Sequence, residues 1–156
     1  MTLYHGSFQK IDQIDLSLCR PYTDFGRGFY LTPKLQQARR RAILKARLAN
    51  ESPVINEYLF DETLLENSTL NVKVFNEPSL AWAEFVFKNR EDRTFTHDFD
   101  IVVGPVADDD LRLQFSRLKN GEIVLEDLTH SIRNHNNDIQ YCFCSEAAIK
   151  LLIIKP

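Results

Sequence analysis

Residues 24–32 read Asp24-Phe25-Gly26-Arg27-Gly28-Phe29-Tyr30-Leu31-Thr32, DFGRGFYLT. Glycine is scarce in this chain, five in 156 residues. A pair two apart therefore marks a backbone that turns tightly or is approached closely. Phe29 to Leu31 reads as a short apolar strand, and strand alternation places Phe29 and Tyr30 on opposite faces. If Phe29 belongs to the core, Tyr30 is free to face a ligand. Thr32-Pro33 then reads as a helix start, with Thr as N-cap and Pro in the first turn. The helix is expected to run to about Asn50, with Leu35, Ala38, Ala42, Ala46 and Ala49 on one face and Arg40, Arg41 and Arg47 opposite.

Outward from there, residues 2–5 read as a strand ending at His5-Gly6-Ser7. Strands are expected over 54–60, 70–75, 99–103, 139–144 and 151–154. Ser79 should cap an aromatic helix through Arg90, and Leu111, Phe115 and Leu118 form a helical stripe stopped near Gly121. A further helix is expected over 123–132, a polar turn over 134–137, and a short helix capped by Ser145. No repeat or linker interrupts the pattern, which gives one mixed α+β domain over residues 1–156.

Composition narrows the class. No run of about 18 apolar residues is present, and the N-terminus lacks a charged-then-apolar leader pattern, so a cytoplasmic location and no membrane contact are expected. Three Cys cannot all pair. Cys142 and Cys144 lie roughly 6.6 Å apart along one strand face, a poor disulfide geometry. No C-x-x-C occurs and the four His are scattered, so no metal site is expected. The net charge of −3 is unevenly spread: residues 20–50 carry eight Lys and Arg against one acid, Asp24. That asymmetry suits either a polyanionic ligand or a solvated helix face.

Three segments could carry chemistry. His5-Gly6-Ser7 offers a ring nitrogen and a hydroxyl beside a bare backbone, an arrangement that suits a carboxamide. Gly26 to Tyr30 offers a bare loop leading into an aromatic face, with Arg20 and Arg27 available for phosphate oxygens. Gln140 places an amide at the start of an otherwise apolar strand, where it can bond a sugar hydroxyl.

LYHGS followed by DFGRGFYLT resembles the first half of the catalytic domain of poly(ADP-ribose) polymerase-type ADP-ribosyltransferases, and QYCFC (140–144) is similar to that group's last strand motif. With WAEFVFKNR (82–90) and FDIVVGPVADDD (99–110), the whole resembles a bacterial family of small ADP-ribosyltransferase-like domains. Members often look like the toxin half of a two-gene cassette. The resemblance implies an α+β fold of two facing small sheets with an NAD cleft between them. It also implies transfer of one ADP-ribose from NAD to a macromolecular acceptor, protein or nucleic acid, and an antitoxin partner.

Carried over residue by residue, the resemblance gives His5 the adenosine-side ribose and Gly6 the nicotinamide amide, with Ser7 assisting. Gly28 belongs to the loop that closes over the dinucleotide, and Tyr30 stacks on the nicotinamide ring. Gln140 stands where the family has its catalytic glutamate. An amide can bond a ribose hydroxyl but brings no charge to an oxocarbenium-like transition state. Asp138, or the run Asp108, Asp109 and Asp110, is then the expected source of an auxiliary carboxylate. Without one, the chain would be a non-catalytic NAD- or ADP-ribose-binding module; NAD hydrolysis is a third outcome.

Each residue also has a plain structural reading. His5 suits a half-buried strand end, Tyr30 a core position, and Gly26 and Gly28 a tight turn. Asp108 to Asp110 suit the cap and first turn of a helix, and Arg39 to Arg41 with Arg47 suit a solvated face.

Overall fold

The computed structural model describes residues 1–133, 135 and 138–155. Of the polar turn expected over 134–137, only His135 lies within the described residues.

Among the described residues, seven strands form two sheets. The smaller contains β1 (Thr2–Ser7), β3 (Val54–Leu59) and β7 (Ile153–Ile154), all antiparallel in the order β1-β3-β7. The larger contains β2 (Phe29–Leu31), β4 (Val72–Val74), β5 (Ile101–Pro105) and β6 (Ile139–Phe143) in the order β2-β6-β5-β4. Its β4–β5 pair is parallel and the others antiparallel. One bridge, Tyr4 with Thr32, joins β1 to the end of β2.

Side-chain alternation turns these sheets into layers. Phe29, Leu31, Ile101, Val103, Tyr141 and Phe143 leave the large sheet on one face and pack against Leu3 and Tyr58 of the small sheet and Phe60 just beyond β3. Packed side chains fill the space between the sheets, where the resemblance implied a cleft.

The opposite face of the large sheet carries Tyr30, Val102 and Cys142. It packs on Phe25 and on helices α3 (Leu80–Glu91) and α4 (Asp109–Lys119) through Trp82, Val86, Leu111 and Phe115. Helix α1 (Leu35–Ala49) covers the outer face of β1 with the small residues Ala38, Ala42 and Ala46. There Gly6 is required for a close approach: a Cβ would lie 2.1 Å from the Ala38 carbonyl oxygen and 2.6 Å from the Ala42 nitrogen.

Several expected boundaries shift for local reasons. Helix α1 begins at Leu35, with Lys34 rather than Thr32 at its N-cap. The Thr32 hydroxyl instead donates to Gln37 Oε1 and accepts the Lys34 N–H. It still organises the helix start, from two residues further upstream. Ser79, Asp108 and Ser145 cap α3, α4 and α6 (Glu146–Ile149) through their side chains. The helix expected over 123–132 is a 3-10 turn, Leu125–Leu128, running into the short α5 (Thr129–Arg133). A short α2 (Leu64–Asn67) precedes β4. No helix among the described residues is long and apolar enough to cross a membrane.

Candidate functional site

His5, Tyr30 and Gln140 come from β1, β2 and β6, strands that neighbour one another although the residues span most of the chain. Tyr4 exchanges both backbone hydrogen bonds with Thr32. Antiparallel alternation then turns the N–H and C=O of Gly6 towards β2 as well, opposite Tyr30. The ladder does not continue there. The Tyr30 carbonyl accepts a hydrogen bond from His5 Nδ1 at 2.7 Å instead. Because a carbonyl only accepts, Nδ1 carries the proton and Nε2 is the acceptor, 3.1 Å from Lys45 Nζ. The imidazole is therefore neutral. Burial, with the Lys45 charge as a second cause, lowers its pKa to about 4. The His5 ring also stacks on Phe29, centroids 4.5 Å apart.

Phe29 and Tyr30 point to opposite faces of β2, so the side chains of His5 and Tyr30 do not share a surface. Tyr30 and Gln140 do. Tyr30 pairs with Cys142 across the ladder, two residues along β6 from Gln140, and all three side chains leave the same face. The Tyr30 hydroxyl is fully engaged: it donates to the Gly26 carbonyl and accepts from the Phe25 N–H and from Thr23 Oγ1. Burial pushes its phenol well above the ordinary range. Gln140, 8% exposed, donates from Nε2 to Asp24 Oδ2 at 2.8 Å and to the Pro105 carbonyl at 3.3 Å. The loop of residues 23–28 is thus tied to both candidate residues and folds Phe25, fully buried, beside Tyr30.

The other candidates fall into different positions. Ser7 is buried at the end of β1. Gly28 lies against β6, where a Cβ would come within 2.4 Å of Cys142 Sγ. Arg27 is exposed, and its Nη1 donates to the Ser17 and Cys19 carbonyls, which fastens it to the preceding loop. Arg20 and Arg41, both exposed, lie close enough to Lys45 to reinforce the lowering of its pKa, of which burial is the larger cause. No carboxylate pairs with Arg20, Arg41 or Lys45 among the described residues.

None of the expected auxiliary acids contacts Gln140. Asp138 is held by Lys34 at 2.7 Å and Arg40 at 3.4 Å. Asp108 caps α4 and bonds His135 Nδ1 at 2.7 Å, and the Asp109 carboxylate is fully exposed beside Arg112. The carboxylate that does reach Gln140 is Asp24. It was the lone acid in a basic segment, two residues before Gly26 of the Gly-x-Gly pair, and that isolation was the available signal. Lys45 also joins the site through His5 and was not among the candidate residues; Arg90 lies outside it, bonded to Asp24 Oδ1.

All three cysteines are free, with Cys142 and Cys144 Sγ 3.3 Å apart. Among the described residues, no group of three or more His, Cys, Asp or Glu is arranged to hold a metal ion. Two shallow hollows lie elsewhere on the surface, the second along the strand that pairs with β1. One of about 370 Å³ is lined by Gln13, Ile14, Asp15 and Glu146, and one of about 450 Å³ runs along β3 from Lys10 to Lys155.

Residues 1–153 match the family described as Protein of unknown function (DUF3990). The chain belongs to that family. No curated protein and no solved structure matches it.

Proposed function

We propose that this member of the DUF3990 family binds NAD and transfers a single ADP-ribose to a macromolecular acceptor, releasing nicotinamide. The observation that carries the reading is the meeting of three motifs on adjacent strands: His-Gly-Ser on β1, Gly-Phe-Tyr entering β2, and Gln140 on β6. In this reading the Gly6 backbone, turned towards β2, bonds the nicotinamide amide, with Ser7 assisting. The His5 ring meets the adenosine-side ribose in place of Lys45, and Tyr30 supplies the face for the nicotinamide. Gln140 accepts a hydroxyl of the nicotinamide ribose. Arg20, Arg41 and Lys45, paired with no carboxylate among the described residues, give the diphosphate a cationic border.

The reaction breaks the glycosidic bond between ribose C1′ and the nicotinamide nitrogen, and the bonding pair leaves with nicotinamide. The acceptor nucleophile forms the new bond to C1′ and gives its proton to solvent. Phe25 lies beside Tyr30, so this reading requires Phe25 and the residues after it to lift when NAD enters, while Asp24 stays held by Arg90, the Ala107 N–H and Gln140. The engagement of both Tyr30 Oη and Gln140 Nε2 favours one second reading, a module that holds NAD or ADP-ribose without turnover.

Incubating the protein with NAD labelled in its adenine half, together with candidate protein and nucleic-acid acceptors, tests both. Transfer gives labelled acceptor and free nicotinamide in equal amounts, hydrolysis gives free ADP-ribose, and a module gives affinity alone. Absence of NAD binding at millimolar concentration would remove both readings.

A further inference from the structure

Both groups that face Gln140 Nε2, Asp24 Oδ2 and the Pro105 carbonyl, are acceptors only. This chemistry fixes the amide: nitrogen inward with both hydrogens committed, and Oε1 as the atom left for a ligand. Asp24 cannot turn aside. Its Oδ1 accepts from Arg90 Nη1 at 2.9 Å, and its Oδ2 also accepts the Ala107 N–H at 2.9 Å. Three donors, from α3, from the segment after β5 and from β6, converge on a carboxylate in a residue only 5% exposed. An ionised glutamate at position 140 would set two carboxylates at hydrogen-bond distance, with Arg90 engaged only on the other oxygen of Asp24. Asp24 therefore admits an amide at this position and disfavours the acid found there in the family that the chain resembles.

We infer that Asp24 is the positioning residue of Gln140: it holds the side-chain amide so that Oε1 is presented to the nicotinamide ribose. The inference rests on the reading of Gln140 as a ribose-binding residue. Asp24 and Arg90 are the charged groups at the amide, and the Tyr30 phenol shares its sheet face.

The test compares the whole protein with Gln140→Glu, Asp24→Asn and Arg90→Met. The first readout is thermal unfolding between pH 5 and pH 8. In Gln140→Glu the introduced carboxyl can donate to Asp24 only when protonated. Its folded pKa is raised, so the stability deficit is small at pH 5 and widens towards pH 8. The second readout is nicotinamide release. Asp24→Asn should lower kcat about tenfold or more with KM within about threefold, the pattern of a lost transition-state interaction. Arg90→Met leaves the Asp24–Gln140 bond in place; it should melt lower while keeping kcat within about threefold of the parent.

A Gln140→Glu protein that melts with the parent at every pH overturns the pairing, and this outcome decides the matter if Asp24→Asn does not fold. Asp24→Asn with kcat within about twofold of the parent, or Arg90→Met with an equal loss, overturns the positioning role. A parent that binds NAD without releasing nicotinamide fails the transfer reading instead. The NAD affinity of Asp24→Asn then becomes the readout, and an unchanged affinity overturns the inference.

Discussion

The two faces of β2 treat charge in opposite ways. On the face towards the small sheet, Phe29 carries the neutral His5 ring, and Lys45 approaches that ring with Arg20 and Arg41 near it. These cations have no carboxylate partner among the described residues. On the other face, Tyr30 and Gln140 lie near a single acid, Asp24, whose oxygens are saturated by Arg90, the Ala107 amide and Gln140 itself. The first region is electrostatically incomplete and would gain from an anion. The second is complete, and it orders the loop that covers it. Ligand attraction is expected from the first region, and rigidity and orientation from the second.

The sharpest way to break this comparison is to remove the buried acid. Asp24→Ala strands the Arg90 guanidinium, the Ala107 N–H and the Gln140 amide together. Breaking one side of such a buried pair costs roughly 3–5 kcal/mol. Urea unfolding at pH 7 should show this as a lower midpoint with an unchanged slope. Lys45→Met on the other face should cost little or even stabilise, because it relieves a half-buried cation repelled by Arg41 and Arg20. Similar losses in both variants would erase the distinction between the faces.

His5 gives a pH test of the first face. Its folded pKa, about 4, lies below its ordinary value of 6.5. Between those values the unfolded chain binds more protons than the folded one, so stability rises with pH across the window and is lost as pH falls from about 6.5 towards 4. The full effect of this group is on the order of 3 kcal/mol. Unfolding free energies measured at steps from pH 7 to pH 4.5 should fall more steeply for the parent than for His5→Asn. Parallel curves would mean that the ring titrates as it does in water.

Gly6→Ala should come next. The added Cβ would meet the backbone of α1 at Ala38 and Ala42, and backbone yields less readily than a side-chain tip. The loss is roughly 1–3 kcal/mol of stability. Differential scanning calorimetry should show it without NAD present. A parent-like melting temperature would mean that α1 can move away from β1, leaving Gly6 explained by a ligand alone.

Gly6 shows where the sequence was legible and where it was not. A glycine in a chain with so few announces a close approach, and one exists, but the approaching group is a helix backbone 30 to 40 residues further along. Periodicity located most strands and helices because one buried face imposes its spacing. Caps at Ser79, Asp108 and Ser145 were readable because the cap bond is local. Asp24 escaped notice for the opposite reason: its partners Arg90, Ala107 and Gln140 lie 66 to 116 positions away and only the fold unites them. Arg27 illustrates the same limit. Its residue type suits phosphate, but the sequence does not show that two carbonyls of the preceding loop take its Nη1.

The smallest expected effect separates Arg20 from Arg27. If the cations beside Lys45 border the diphosphate, Arg20→Gln should weaken NAD binding by about 1 kcal/mol at low salt, roughly fivefold in Kd. Raising the salt should shrink that difference, since an exposed guanidinium is screened within about 10 Å at 0.1 M. Arg27→Gln loses carbonyl contacts rather than a free charge near the ligand. Its effect should appear in the stability of the 16–28 segment, read by amide hydrogen exchange, with little salt dependence in NAD affinity. Calorimetric titration of NAD at low and moderate salt for parent and both variants distinguishes the two roles. Equal salt dependence in Arg20→Gln and Arg27→Gln would mean that the basic stretch acts as a diffuse positive surface, and the incomplete face of β2 would then hold no defined anion position.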